Sequence, residues 1–300
     1  MKPLDRNTTL ARMQEVMGPL PPPSPGVLPS VRYLLSEDFP SYVRHKITYE
    51  ADPGDPVPAW LLVPRTPTTR AVLCVHSTQR SGKDEVVGMG QRFSRHTAKE
   101  LAERGYLALA PDYPNFGEYY LDVYRRGYLS ASMKGIVNHR AAVDILLAQP
   151  GIRHIAAVGH SLGGHNALFI AAVDPRLHAA VTSCGFTSFA KYYGGNLKGW
   201  SHLGYMPRIA SHYGLDPRRM PFDFPDILAA IAPRALFVNA PLHDDNFDVS
   251  GVRDCLAATS SLFPPQRLQA VYPDCSHDFP DEARAAAWSF LDSVLREHAL

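Results

Sequence analysis

The 300-residue sequence predicts an α/β fold, a mostly parallel eight-stranded sheet with helices on both faces. Two patterns predict it. Short, wholly apolar runs recur along the chain, which is how strands buried on both faces read. Between them lie stretches with helical periodicity, such as Ser130 to Ala148, where Met133, Val137, Ala141 and Ile145 fall on one stripe. The composition is that of an ordinary globular protein, with 45% hydrophobic and 20% charged residues. The length suits one large domain or two small ones.

In chain order, residues 8–17 read as a short helix and Pro19 to Pro29 as an extended connector. Val43 to Glu50 and Val57 to Val63 read as a hairpin around Asp52-Pro53-Gly54-Asp55. The division expected is 1–40 for the helix and connector and 41–300 for the main domain. Strands follow at Ala71 to Val75, Tyr106 to Ala110, His154 to Val158, Ala179 to Ser183, Ala235 to Asn239 and Leu268 to Tyr272. Helices are expected at Ser94 to Arg104, Ser130 to Ala148, Leu162 to Val173 and Val249 to Leu262. A closing helix spans Asp281 to His298, with Trp288, Leu291 and Leu295 inward. Residues 186–232 break the rhythm, because adjacent strands need only one helix between them. The segment is rich in Phe, Tyr and Trp, and long connections in compact domains serve as lids or binding loops. It is expected to form a lid or substrate wall, with an inserted helical pair or a subunit contact as the alternatives.

The bulk properties exclude several classes. A net charge of +1 and dispersed Lys and Arg residues supply no field for nucleic acid or an anionic membrane. No run of about 18 apolar residues occurs, so no membrane span is expected. Cys74, Cys184, Cys255 and Cys275 form no CxxC pair, so no metal or redox motif is expected, and they read as reduced thiols. The N-terminus lacks the apolar core of a signal peptide. That points to the cytoplasm, or to export if a leader has been removed.

The chemistry centres on Gly159-His160-Ser161-Leu162-Gly163-Gly164, a G-x-S-x-G pattern with a strand before it and a helix after it. A sharp strand-to-helix turn there lifts the Ser161 hydroxyl over a helix N-terminus. A serine hydroxyl needs a base, and in such proteins the order is serine, acid, histidine. The loop after Ala235 to Asn239 contains His243-Asp244-Asp245-Asn246, and the loop after the last strand contains Cys275-Ser276-His277-Asp278-Phe279. His277 is the candidate base and Asp244 the first-choice acid, with Asp245 and Asp248 as rivals. The expected oxyanion donors are the N–H of Leu162 and one from the loop after Val75, Thr78 by position and Gln79 next. Tyr113, Phe186, Tyr192, Trp200 and Tyr205 are candidate substrate-binding residues, since aromatic faces stack on sugars and acyl groups.

From about residue 40 onward the chain resembles the dienelactone hydrolase and acetyl-xylan-esterase-like branch of the α/β-hydrolases. The resemblance rests on His76-Ser77-Thr78-Gln79 with Gly82-Lys83-Asp84-Glu85, on Ala110-Pro111-Asp112-Tyr113, on the Ser161 elbow, and on Cys275 to Phe279. It implies the α/β-hydrolase fold, a serine carboxylester hydrolase without a cofactor, and activity on acetyl or methyl esters of plant sugars. Two positions depart from the family pattern. Dienelactone hydrolases proper use a cysteine nucleophile where this chain has Ser161, and the usual His-Gly oxyanion start is His76-Ser77 here. A general aryl or short-chain carboxylesterase or a dienelactone-hydrolase-like enzyme is the main alternative, and a non-catalytic binding protein on the same fold a remote one. Self-association into a homo-oligomer stays open.

Overall fold

A computed structural model describes residues 3–22 and 28–296. Helix α1 (Arg6–Met17) opens the chain, capped by the Asp5 side chain on the Thr8 N–H. Strands β1 (Val31–Asp38), β2 (Tyr42–Asp52) and β3 (Asp55–Pro64) form an antiparallel meander. Then come β4 (Arg70–Val75), α2 (Thr97–Glu103), β5 (Leu107–Pro111), α3 (Ala131–Leu147), β6 (His154–His160), α4 (Leu162–Val173) and β7 (Ala179–Ser183). The chain ends with α5 (Arg208–Ser211), α6 (Phe224–Ile231), β8 (Ala235–Asn239), α7 (Val249–Thr259), β9 (Leu268–Val271) and α8 (Asp281–Val294).

All nine strands form one sheet in the order β1-β2-β3-β5-β4-β6-β7-β8-β9. The pairings from β5 through β9 are parallel, and those from β1 through β5 antiparallel. The sheet thus has one strand more than the eight expected, and the extra one is β1. It lies upstream of residue 41, in the stretch read as the end of the N-terminal region. The expected helix at Ser94 begins at Thr97, preceded by a 3-10 turn at Phe93–Arg95. The closing helix stops at Val294; residues 297 and 298 of its expected span, and 23–27 of the connector, lie outside the described residues.

The apolar residues divide between the two faces of the sheet. One cluster joins α1, α3, α4 and the sheet, and the other joins α2, α8 and the opposite face. Helix α4 is buried at nearly every position, which is why its sequence is apolar all round rather than striped. The segment 186–232 has no core of its own. Phe186, Phe189, Trp200, Ile209 and Phe224 join the cluster that contains α1, α3 and α4. Trp200 sits at the centre of the segment's ring contacts, with the centroids of His165, Phe189, Tyr192, Phe224 and Phe247 between 4.6 and 6.0 Å from its own. Asp223 and Asp226 close a capping box on α6 and fix where the segment returns to the sheet. No helix among the described residues is long and apolar enough to cross a membrane.

Candidate active site

Main-chain packing sets the position of Ser161. At the junction of β6 and α4 its backbone adopts φ 55° and ψ −118°, a region that L-residues avoid. The Ser161 N–H donates to the Ser183 carbonyl at 2.8 Å, fastening the turn to β7. The glycines follow from the tightness of this junction. A Cβ on Gly159 would lie 2.1 Å from the Gly163 oxygen, and one on Gly163 would lie 2.0 Å from the Val75 oxygen. Backbone meets backbone at both points, so neither position accepts a side chain.

The loops after β8 and β9 reach the same edge of the sheet. His277 Nδ1 lies 3.0 Å from both carboxylate oxygens of Asp244. Asp244 Oδ1 also accepts the N–H groups of Asn246 at 2.9 Å and Phe247 at 3.0 Å. Burial works to raise the Asp244 pKa, but the His277 hydrogen bond and charge, with those two N–H groups, hold it below the ordinary carboxylate value. The Asp244 side chain is 2% exposed and that of His277 is 23% exposed, so the acid is sealed while the imidazole meets solvent. The two rival carboxylates are elsewhere. Asp248 caps α7 through the Ser250 N–H, and Asp245 is exposed.

The loop after β4 is held by buried groups. Tyr113 N–H donates to His76 Nε2 at 2.9 Å, so Nε2 carries the lone pair and Nδ1–H donates to the Ser77 carbonyl at 2.7 Å. Burial keeps His76 neutral by lowering its pKa. Ser77 Oγ donates to buried Glu85 at 2.6 Å. Lys83 has no exposed side-chain surface and pairs with Asp112 at 2.9 Å and Glu118 at 2.7 Å. Burial opposes its charge, but these carboxylates outweigh it and raise its pKa. The Gly82-Lys83 pair thus clamps this loop to the one after β5. Within it the Gln79 N–H is bonded to the Ser77 carbonyl at 2.8 Å, whereas the Thr78 N–H donates to no group among the described residues. Leu162, the other expected donor, opens α4 directly after Ser161.

The five aromatic candidates are less open than expected. Tyr113, Phe186, Tyr192 and Trp200 are buried. Tyr205 is partly exposed, and its hydroxyl lies 3.3 Å from Thr78 Oγ1. Tyr113 and Tyr124 hydroxyls donate to the carbonyls of Gly204 and Leu203 at 3.0 and 2.6 Å. The part of the inserted segment nearest the Thr78 loop is therefore tied down by tyrosine hydroxyls from the loop after β5.

Several neighbours went unread in the sequence. Arg95, almost fully buried, donates to the His277 carbonyl at 3.2 Å and pairs with Asp278 at 3.4 Å. Ser94 Oγ donates to the same carboxylate at 2.8 Å. The His160 ring meets that of His277 edge-on at 4.8 Å, and the Phe247 ring stacks on His277 at 6.0 Å. The variable position before the serine in G-x-S-x-G could have pointed to His160; nothing in the sequence marks Arg95.

With this geometry in place, residues 58–192 match the family model described as the dienelactone hydrolase family. The fold is that of an α/β-hydrolase, and over those residues the chain is similar to the dienelactone hydrolase family. No curated protein sequence matches this hydrolase. Solved structures share its fold. A glucuronoyl esterase from Solibacter usitatus is 15% identical with a TM-score of 0.74, covering 97% of this chain and 92% of that one. Acetyl Xylan Esterase 1 from Thermoanaerobacterium sp. JW/SL YS485 is 17% identical with a TM-score of 0.66, covering 98% and 95%. A cold-adapted esterase from an Arctic intertidal metagenomic library is 18% identical with a TM-score of 0.61, covering 87% and 97%. At these identities the likenesses speak to the fold, while the family match supports a carboxylic ester hydrolase.

Proposed function

We propose that this hydrolase cleaves small acyl or methyl esters of carbohydrates by an acyl-enzyme mechanism, with Ser161 as nucleophile, His277 as general base and Asp244 as the orienting acid. The observation that carries the reading is the Asp244 carboxylate on His277 Nδ1 at the sheet edge where the strained Ser161 turn stands. Asp244 holds His277 with the proton on Nδ1, so Nε2 is free to take the Ser161 proton as Oγ attacks the ester carbonyl. The N–H groups of Leu162 and Thr78 receive the oxyanion. His277 then protonates the leaving alcohol, and water repeats the sequence on the acyl-enzyme. Tyr205, partly exposed beside Thr78, forms the wall that meets the substrate. Trp200, Phe186, Tyr192 and Tyr113 act from behind by holding that wall.

Sugar esters are favoured by the esterases of similar fold whose names specify glucuronoyl and acetyl xylan substrates. The likeness to an esterase without a named sugar substrate favours the second reading, a general short-chain carboxylesterase. Release rates on acetylated sugars, uronate methyl esters, feruloyl esters and p-nitrophenyl acetate separate the two. The sugar reading requires kcat/KM on a carbohydrate ester to exceed that on the aryl ester, and the reverse order overturns it. We further propose a main domain that takes in β1 through α8, acting on small-molecule esters in the cytoplasm.

A further inference from the structure

Under His277 lie groups that the proposed hydrolysis does not use. His160 and Cys184 are 4% and 3% exposed. With His277 each offers one ligand atom, and the three atoms lie within 4.8 Å of one another. The surrounding hydrogen bonds show what His160 presents. Ser183 Oγ accepts from Asn239 Nδ2 at 2.8 Å, and its own O–H is directed to Cys184 Sγ at 3.8 Å. His160 Nδ1 lies 2.9 Å from that oxygen, which leaves Nε2 as the ring nitrogen turned toward the cluster. His160 Nε2 is buried and has no hydrogen-bond partner among the described residues, a state that native proteins rarely leave unexplained. Cys184 takes a left-handed backbone, φ 48°, and its thiol donates to the Asp278 carbonyl at 3.3 Å, so the sulfur is held in place beside the two rings.

We propose that His160, Cys184 and His277 form a binding site for one thiophilic divalent cation of the Zn²⁺ or Cd²⁺ class, and that its occupancy withdraws His277 from catalysis. One sulfur and two imidazoles suit a soft or borderline ion and disfavour Mg²⁺ or Ca²⁺. Zinc–sulfur and zinc–nitrogen bonds of about 2.3 and 2.1 Å put tetrahedral ligands roughly 3.5 Å apart, so the three atoms need to close in by about an ångström. The exposed part of His277 supplies the entrance and leaves a fourth position for water. On binding, the thiol proton passes to solvent as the metal–sulfur bond forms, with no change of oxidation state. The binding step stands apart from the proposed function; only the loss of activity rests on it.

The test adds Cd²⁺ alone to the full chain and follows two readouts, the ultraviolet thiolate-to-cadmium charge-transfer band and the initial rate on p-nitrophenyl acetate. One equivalent of Cd²⁺ should raise the band as the rate falls, EDTA should reverse both, and Mg²⁺ should do neither. Cys184→Ser and Cys184→Ala should lose the band and need about tenfold or more Cd²⁺ for half-inhibition. Ser161→Ala should keep the band although inactive. A band that forms in a chain without esterase activity supports the site while refuting the proposed function. Absence of the band in the unaltered chain, or equal Cd²⁺ sensitivity in folded Cys184 variants, overturns the proposal. Should neither cysteine variant fold, cadmium NMR of Ser161→Ala decides: a shift typical of mixed sulfur and nitrogen ligands supports the site, and an all-oxygen shift overturns it.

Discussion

Asp244→Asn tests the acid at the cost of one atom's identity. The wild-type Oδ1 accepts two backbone N–H groups, from Asn246 and Phe247, at 2.9 and 3.0 Å. In the amide, the carbonyl oxygen has to stay at that position, because an NH₂ there would face two donors. The NH₂ group then occupies the Oδ2 position, 3.0 Å from His277 Nδ1. The amide keeps an acceptor 3.0 Å from Nδ1 at one position but sets a donor there at the other, so the tautomer with the proton on Nε2 gains and the proposed base for Ser161 is lost in proportion. The expected loss is about 10⁴-fold in kcat, roughly 5.4 kcal/mol of transition-state stabilisation. Steady-state rates on p-nitrophenyl acetate measure it, with circular dichroism to confirm the fold. Asp245→Asn should stay near wild type. Asp248→Asn, acting at the α7 cap, should lose no more than about 1 kcal/mol of stability, with activity retained. If Asp244→Asn keeps kcat within tenfold of wild type, or if Asp248→Asn costs more activity, the tautomer argument fails.

Ser161→Gly should abolish esterase activity yet raise the melting temperature by about 2 °C, because glycine relieves a backbone strain worth about 1–3 kcal/mol; a lower melting temperature would refute the strain. Trp200→Ala should lower stability by about 3–5 kcal/mol in denaturant titration, as expected for an aromatic removed from a packed core. Tyr205→Phe should leave stability nearly unchanged and lower kcat/KM by roughly fivefold, the value of one hydrogen bond of about 1 kcal/mol. The Asp244 carboxyl is held below its unfolded value of 3.8. Its stabilisation is therefore complete above that pH and disappears as pH falls through the lower folded value. The stabilities of wild type and Asp244→Asn, measured by denaturant, should converge in that acid range.

The parallel half of the sheet was legible because strands such as Ala179–Ser183 and Ala235–Asn239 are buried at every position, and uniform burial leaves an uninterrupted apolar run in the sequence. Strand β1 was not legible for the opposite reason. It is an edge strand, Tyr33, Leu34 and Leu35 are all exposed, and its register shifts between Tyr33 and Leu35, so no alternation survives. The Ser161 elbow could be read because its glycines answer to main-chain contacts that leave no room for a side chain and so fix the residue type. Asp244 could only be ranked against Asp245 and Asp248, since the choice depends on how one loop turns. The aromatic segment was ambiguous by composition. Nine large rings give the same composition whether they line a cleft or fill a core, and only packing around Trp200 distinguishes the two. The cluster of His160, Cys184 and His277 left no pattern at all, because His160 and Cys184 meet through the pairing of β6 with β7.

The contacts at Gly159, Gly163 and Gly164 are between main-chain atoms, with only the Thr182 hydroxyl as a side-chain neighbour. The position of the proposed nucleophile is thus written almost wholly in peptide bonds, and the proposed aromatic wall in side chains fastened from another loop. On that reading, mutations in residues 186–232 reshape what reaches Ser161 without retuning the turn that presents it. An engineer, or natural drift, could trade one ester for another by editing that wall while the reactive hydroxyl keeps its place.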